Sequence, residues 1–208
     1  MNKVVGILLA AGRSLRMGAE NKLLADVIGW PLVWYAAKAM TCSSLAKVII
    51  VTGYEAEKVA KALDGLQVQL VFNPLFAKGQ ASSVRAGIAA LDNDVTDVLI
   101  GLGDMPMISS SLLNSLINSH INRGAGRRAI TFPTIDGARG NPVVWDKTFF
   151  SELSKLTGDS GGKQLIDDYK KFHNPVPSGR QEYFCDVDTM EELTAIINEF
   201  KSWRDKAH

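Results

Sequence analysis

Hydrophobic positions along the chain come in short unbroken runs, separated by stretches in which apolar residues recur every three or four places. The runs VVGILLA (Val4 to Ala10), KVIIVT (Lys47 to Thr52), VQLVF (Val68 to Phe72), DVLIGLGD (Asp97 to Asp104) and AITF (Ala129 to Phe132) have the length and content of strands. Between them, Pro31 to Cys42, Glu55 to Leu63, Gln80 to Leu91 and Ser109 to Ile121 carry helical spacing, with Pro31 suited to a first helical turn and Ser109 to an N-cap. Strands that are apolar nearly throughout and alternate with helices predict a mostly parallel sheet covered on both faces, an α/β three-layer sandwich. After Pro133 the pattern loosens into a glycine-rich loop, IDGARGNPVVW (Ile135 to Trp145), and short helices. A last strand, YFCDVD (Tyr183 to Asp188), is expected before a C-terminal helix. No repeat or linker divides the sequence, which predicts one domain over residues 1–208.

Composition narrows the partners rather than the fold. With 23 basic and 22 acidic residues the net charge is +1, which gives no general attraction to nucleic acid or to a membrane surface. The most basic window, RGAGRR (Arg123 to Arg128), reads as a solvated glycine-rich connector. Two cysteines, Cys42 and Cys185, lie far apart without the spacing of a zinc or redox site, so both are expected as reduced thiols in a cytoplasmic protein. The apolar run at Val4 to Ala11 meets Arg13 at strand length, too short for a signal peptide core or a membrane span.

In an open α/β sheet, ligands sit beyond the carboxyl ends of the strands, so the residues that follow each strand are the informative ones. These are Ala10 to Lys22, Thr52 to Tyr54, Asn73 with Gly79 to Ser83, Asp104 to Pro106, and Asp186 to Thr189. Gly12 allows a tight turn, and successive amides from Ala11 to Ser14 can converge on an anion. Arg13, Arg16 and Lys22 add countercharge; two guanidinium forks and an ammonium suit a polyphosphate better than a monoanion. A dinucleotide fingerprint is excluded, because its glycine positions hold Ala10, Gly12 and Leu15. A Walker loop is excluded as well: TGDSGGKQ (Thr157 to Gln164) lacks the first glycine and the final hydroxyl. Asp104 and Asp188, leaving different strands, match the one or two carboxylates that magnesium takes from a protein when phosphate oxygens and water complete its shell. Either aspartate alone would equally serve as a helix cap. The stretch KGQASSVRAGI (Lys78 to Ile88) offers backbone groups and the Ser82 and Ser83 hydroxyls to a flat ligand such as a nucleobase, with an ordinary N-cap as the plain alternative. GARGNP (Gly137 to Pro142) offers Arg139 and Asn141 to a second, anionic substrate, or is a simple hairpin turn.

These motifs together resemble the nucleotidyltransferases of the molybdenum cofactor type, and most of all their cytidylyltransferase branch. The resemblance is carried by LAAGRSLRMG and NKLL (Leu9 to Leu24), GQASSVRAG (Gly79 to Gly87), GLGDMP (Gly101 to Pro106), RGNPV (Arg139 to Val143), GDSGGK (Gly158 to Lys163) and DVDTMEEL (Asp186 to Leu193). It implies a Rossmann-like fold of the nucleotidyltransferase type. It further implies a nucleoside triphosphate held by Ala10, Ala11, Gly12, Arg13, Ser14, Arg16 and Lys22, magnesium on Asp104 and Asp188, and the base near Asn73, Gly79, Gln80 and Ser82. The catalytic groups would be Arg16, Lys22, Asp104 and Asp188. The phosphate of a molybdopterin acceptor would sit near Arg139, Gly140 and Asn141, and a molybdoenzyme would receive the product. LAAG rather than LAGG is the variant that the resemblance associates with cytidine over guanine donors, which points to CTP over GTP. Lys163 stands where relatives usually have arginine, and Met190 where proline is frequent. Transfer to a sugar or polyol phosphate, guanylyl transfer, and a non-catalytic nucleotide or pterin module are the alternatives.

Overall fold

The computed structural model describes residues 2–14, 21–123, 128–159, 162–179 and 185–206. Its centre is an eight-stranded sheet containing β1 (Val4–Ala10), β4 (Lys47–Thr52), β5 (Gln69–Phe72), β6 (Asp97–Leu102), β7 (Ile130–Ile135), β8 (Ala138–Arg139), β9 (Val143–Asp146) and β10 (His173–Pro177). A two-residue hairpin, β2 (Asp26–Val27) with β3 (Trp30–Pro31), stands apart. The sheet order is β10-β7-β9-β6-β1-β4-β5, with β8 paired to β7. Strands β6, β1, β4 and β5 are mutually parallel, and β10 is parallel to β7. β9 runs against both β6 and β7, so the sheet is mostly parallel, as the apolar runs predict.

All seven residues of β1 are buried, because helices cover both faces. Alternate side chains go to opposite layers. Leu8, with Ile50 and Leu99, packs against Val33 and Met40 of α1 (Leu32–Thr41), Val59 of α2 (Ala56–Ala62) and Leu113 and Leu116 of α4 (Ser110–Ile121). Ile7, with Val51 and Val98, meets Val84 and Ile88 of α3 (Gln80–Ala89), Leu153 of α5 (Phe150–Leu153), and Leu165 and Ile166 of α6 (Lys163–Asp168). Helix α3 lies close on β1 because Gly87 has no side chain there: a Cβ on it would stand 2.6 Å from Cγ2 of Ile7. A third apolar group, Val27, Leu32, Met107, Val187, Leu193 and Ile196, lies under α7 (Met190–Lys206). Among the described residues no helix is long and apolar enough to cross a membrane.

Several boundaries differ from the sequence expectation. β6 stops at Leu102, although Gly103 still donates its amide to Leu9 O at 2.9 Å. Pro31 is the cap residue before α1, not part of its first turn. Ser109 caps α4 as expected, its hydroxyl accepting from the Leu112 amide at 3.2 Å. Of the segment Tyr183 to Asp188, the described residues 185–188 are not a strand. Arg123 is no solvated connector residue: it pairs with Asp146 at 2.7 Å and Asp97 at 3.4 Å. Arg128 lies over the rings of Phe149 and Phe172, its guanidinium carbon 4.4 and 4.7 Å from their centroids.

The order of the strands locates the binding edge. From β1 the chain moves outward to β4 and β5, then crosses back to place β6 on the other side of β1. The crevice of such a reversal opens at the carboxyl ends of β1 and β6. It brings Ala11 to Ser14 and Gly103-Asp104 to the same place.

Candidate active site

Two clefts open at this edge and share a wall. The first, about 460 Å³, is lined by Ala11, Gly12, Arg13, Ser14, Lys22, Phe76, Gly79, Gln80, Ser83, Asp104 and Asp188, among others. The second, about 670 Å³, is lined by polar residues that include Arg139, Gly140, Asn141, Lys163 and Asp186, and by apolar ones that include Val84, Ile100, Val143 and Trp145. Leu9, Gln80, Leu102 and Asp159 border both.

Lys22 stands between the two acids, its Nζ 2.7 Å from Asp104 Oδ2 and 2.7 Å from Asp188 Oδ1. Burial opposes its charge, but the attraction of both carboxylates outweighs that and raises its pKa above the ordinary lysine value. The second oxygen of Asp104, Oδ1, is buried and has no hydrogen-bond partner among the described residues. Asp186 stands nearby, its carboxyl pushed up by burial and then by the negative charges of Asp104 and Asp188. Among the described residues no set of three or more His, Cys, Asp or Glu side chains forms a ready-made metal cage. One orphaned carboxylate oxygen beside a second carboxylate does fit a cation that takes the rest of its ligands from substrate phosphate and water.

Neither aspartate serves as a helix cap. Asp104 precedes α4, but Ser109 fills that role. Before α7 the cap is Thr189: its hydroxyl accepts from the Glu192 amide at 3.2 Å, and Glu192 Oε2 accepts from the amides of Asp188 and Thr189 at 2.7 and 2.9 Å. This T-x-x-E box holds the Glu192 carboxyl below its ordinary pKa through those two amides, and it leaves the Asp188 side chain facing Lys22.

The segment that follows β1 turns without help from Gly12, whose φ is not positive and around whose absent Cβ nothing lies within 4 Å. Ser14 adopts the left-handed conformation instead, at φ 54°, and its hydroxyl accepts from the Lys22 amide at 3.2 Å. Arg13 faces the cleft with its guanidinium carbon 5.3 Å from the Phe76 ring centroid. Ala10 is buried in the core at the end of β1. Arg16 lies outside the described residues.

Two residues expected at the base point inward. Asn73 donates from Nδ2 to the hydroxyls of Ser82 at 2.8 Å and Ser83 at 3.0 Å, and Ser82 donates in turn to the carbonyls of Leu75 and Gly79. Neither Asn73 nor Ser82 lines the cleft; both hold the loop that presents Gly79, Gln80 and Ser83 to it. The cap position of α3 is Gly79, so neither serine is the N-cap. Gly79 has φ 96°, and a Cβ there would stand 2.3 Å from Asp159 Oδ1. The Ala81 amide donates to Gly158 O at 3.1 Å, which binds the GDSGGK segment to the start of α3. Arg85 donates to the Leu156 carbonyl.

GARGNP forms the simple hairpin turn. Asp136 and Gly137, at φ 48° and 78°, form the two-residue turn between β7 and β8. That turn delivers Arg139, Gly140 and Asn141 to the second cleft. Arg139 pairs with Asp167 at 3.0 Å. Sequence reasoning gave no role to Asp159, Asp186 or Phe76. Asp159 and Asp186 belong to motifs it quoted, while Phe76 carries no signal beyond its nearness to Gly79.

Comparison with known proteins places these features. The sequence profile of the MobA-like NTP transferase domain matches residues 6–173. Nicotine blue oxidoreductase of Paenarthrobacter nicotinovorans is 28% identical over 199 residues, covering 93% of this chain and 96% of that protein. Bifunctional protein GlmU of Pelotomaculum thermopropionicum is 32% identical over 145 residues, 69% of this chain; the match spans only 31% of GlmU. Among solved structures, a nucleotidyl transferase from Methanothermobacter thermautotroptrophicus superposes with a TM-score of 0.83 at 21% identity, covering 97% of this chain and 99% of that one. At that identity the likeness shows the fold alone.

Proposed function

Since the chain belongs to the MobA-like NTP transferase domain family, we propose that it transfers CMP from CTP to the phosphate of a molybdopterin-type acceptor and releases pyrophosphate. The observation that carries this reading is the shared wall of the two clefts at Leu9, Gln80, Leu102 and Asp159, because donor and acceptor must meet for direct transfer. An acceptor phosphate oxygen attacks the α-phosphorus, the bond from that phosphorus to the β-phosphate oxygen breaks, and pyrophosphate departs with the electron pair. No covalent enzyme intermediate is required.

Within the first cleft the backbone of Ala11 to Ser14 and the side chain of Arg13 face the triphosphate, and Gly79 and Gln80 face the nucleoside. Asn73 and Ser82 support that loop from behind. Asp104 and Asp188 would hold magnesium, which supplies neutralising charge at the phosphates. Lys22 neutralises the same carboxylates and, with Arg16, would carry charge on the departing pyrophosphate. In the second cleft Arg139, Gly140 and Asn141 would seat the acceptor phosphate, while Trp145, Val143 and Ile100 form an apolar wall suited to a flat ring system. The choice of CTP rests on the LAAG sequence at Leu9 to Gly12. In this reading the reaction takes place in the cytoplasm and a molybdoenzyme receives the product.

The test is to incubate the protein with magnesium, each of CTP, GTP, ATP and UTP, and either molybdopterin or a panel of sugar and polyol phosphates, and to measure pyrophosphate. Release with CTP and molybdopterin supports the proposal; release only with GTP or only with a sugar or polyol phosphate replaces it by that activity. Nucleotide binding without pyrophosphate release in any combination points to a non-catalytic module. The near-full-length likeness to nicotine blue oxidoreductase favours a second reading, oxidation and reduction of a dye-like substrate. Following the oxidation and reduction of nicotine blue in the same preparation separates the two.

A further inference from the structure

The two edges of the main sheet are built differently. At one edge the even-numbered residues turn their amides toward β7, as the Ser178 amide does just past β10 at 2.7 Å from Thr134 O, so His173, Pro175 and Pro177 face outward. Two of those three have no N–H, which closes that edge to another strand. At the other edge β5 lies parallel to β4, and the Asn73 amide donates to Thr52 O at 2.8 Å, so the odd-numbered residues are the ones that bond to β4. Leu70 and Phe72 therefore present their N–H and C=O groups to the outside, and among the described residues nothing bonds to them. Their side chains are exposed as well, Leu70 at 44% and Phe72 at 59%, with Leu75 just beyond at 45%. The stretch LQVQLVFNPLF (Leu66 to Phe76) holds no charged residue, and no proline lies within β5. The charges and prolines that keep an edge strand from pairing are thus missing here.

We propose that β5 is the docking edge for a second copy of this chain, each copy's β5 pairing antiparallel with the other's around a two-fold axis at Val71. In that register Leu70 of either copy stands opposite Phe72 of the other. All four residues turn their main-chain groups outward, so each pair exchanges both N–H···O bonds, and the two Val71 residues meet in the non-bonded position between them. Neighbouring registers match less well. Centring on Leu70 calls on the Val68 amide, which already donates to Leu66 O at 3.0 Å, and centring on Phe72 calls on Pro74, which has no amide. The strand is neutral, so two copies meet with no like charges opposed, and each Leu70 lies against an aromatic ring on the same face of the joined sheet. Because β10 cannot serve as a partner edge, only like edges meet, and the contact closes at two copies instead of growing into a fibre.

The test is sedimentation velocity of the full chain over about a hundredfold range of concentration, since a dimer obeys mass action. A monomer–dimer equilibrium with no larger species is expected. Leu70→Lys and Phe72→Glu each enter the contact twice, once per copy, and set a charge against an apolar neighbour; each is expected to weaken the dimer by about tenfold or more. An equal mixture of the two variants is expected to regain the dimer, because the introduced lysine of one chain then lies opposite the introduced glutamate of the other. Leu70→Pro removes one outward amide while leaving the bonds to β4, and is expected to be monomeric. A chain that stays monomeric over the whole range overturns the proposal and leaves the edge to an extended segment of some other protein. A dimer that Leu70→Lys and Phe72→Glu leave unchanged overturns it too, as does assembly beyond two copies. If both variants are folded by circular dichroism and monomeric, yet their mixture does not dimerise, the register centred on Val71 is wrong. Should Leu70→Lys fail to fold, Phe72→Glu against the unaltered protein decides whether β5 is the contact.

Discussion

The amide of Val187 donates to the carbonyl oxygen of Asp104 across 3.0 Å, and this bond ties the approach to the last helix onto the turn that follows β6. Val187 itself is completely buried among Val27, Leu32, Met107, Leu193 and Ile196. One backbone bond and one valine thus set Asp188 beside Asp104, although the two lie 84 positions apart in the sequence. Val187→Ala removes two buried methyl groups and is expected to cost about 2 kcal/mol in chemical denaturation. If this anchor is what positions Asp188, the same variant also needs a higher divalent cation concentration for half-maximal turnover. An unchanged cation requirement in a measurably destabilised variant would show that Asp188 is held by other contacts.

Lys22 competes with any cation for the same two carboxylates. Its Nζ is 2.7 Å from an oxygen of each, and a positive charge cannot occupy that point together with a metal ion without repulsion. Lys22→Met is therefore expected to bind Mn2+ about tenfold more tightly than the unaltered protein in the absence of nucleotide, followed by the electron paramagnetic resonance of the free ion. Triphosphate turnover in the same variant is expected to drop by about a hundredfold or more, because the charge proposed to meet pyrophosphate is gone. Asp104→Asn keeps the fold and loses both Mn2+ binding and turnover. Tighter Mn2+ binding by Asp104→Asn would contradict the assignment of its carboxylate.

Two glycines of the first cleft separate backbone necessity from ligand necessity. Gly79 sits at φ 96° with Gly158 O 2.6 Å from the place a Cβ would take, so Gly79→Ala must strain or move the loop. A cost of about 1–3 kcal/mol is expected, with weaker nucleotide binding as a consequence. Gly12 has open space around the same position and an ordinary φ, so Gly12→Ala is expected to change stability by less than about 0.5 kcal/mol. Its methyl stands at the cleft, and nucleotide affinity falls all the same. Thermal melts with and without CTP read both quantities; a Gly12→Ala protein that is destabilised but binds CTP normally would reverse the argument.

What the sequence disclosed depended on whether a residue's surroundings are local. The runs at Val4 to Ala10 and Lys47 to Thr52 coincide with β1 and β4 because a strand covered on both faces is apolar at every position. The strand β10, HNPVP, passes unnoticed because two of its five residues are prolines, which only a sheet edge tolerates, and edge position is a property of the whole sheet. β9 hides inside the glycine-rich stretch because it is short, and its four residues are made a strand by pairing with β6, distant in sequence, as well as with β7. YFCDVD has strand composition, yet the described residues 185–188 form no strand: Val187 gives its amide to Asp104 and its side chain to the apolar group under α7, contacts that only the tertiary fold supplies. At the site, the acids and the lysine were legible because charge at a strand end has few uses. Asn73 and Ser82 were not, since a buried amide that braces a loop and an exposed one that binds a base are the same letter.

His120 gives the last test, in the layer opposite the clefts. Fully buried, it bonds Asp97 Oδ1 from Nε2 at 2.9 Å and Thr131 Oγ1 from Nδ1 at 2.7 Å. The carboxylate can only accept, so Nε2 carries the proton and Nδ1 accepts from Thr131. Burial lowers the His120 pKa below 6.5, and the charge of Arg123 acts the same way against the opposing pull of Asp97 and Asp146. A histidine depressed in the folded state stays neutral while the unfolded chain takes up a proton. Its contribution is therefore intact above 6.5 and is lost as the pH falls from there toward the folded value. Asp97, held low by its bonds to His120 and Thr96 although burial opposes this, loses its contribution in the same direction at more acidic pH. The melting temperature is thus expected to fall between pH 7.5 and 5.5. In His120→Gln, whose amide can donate to Asp97 and accept from Thr131 but does not titrate, that fall is shallower. Parallel curves for the two proteins would mean that His120 does not set the acid limit of the fold.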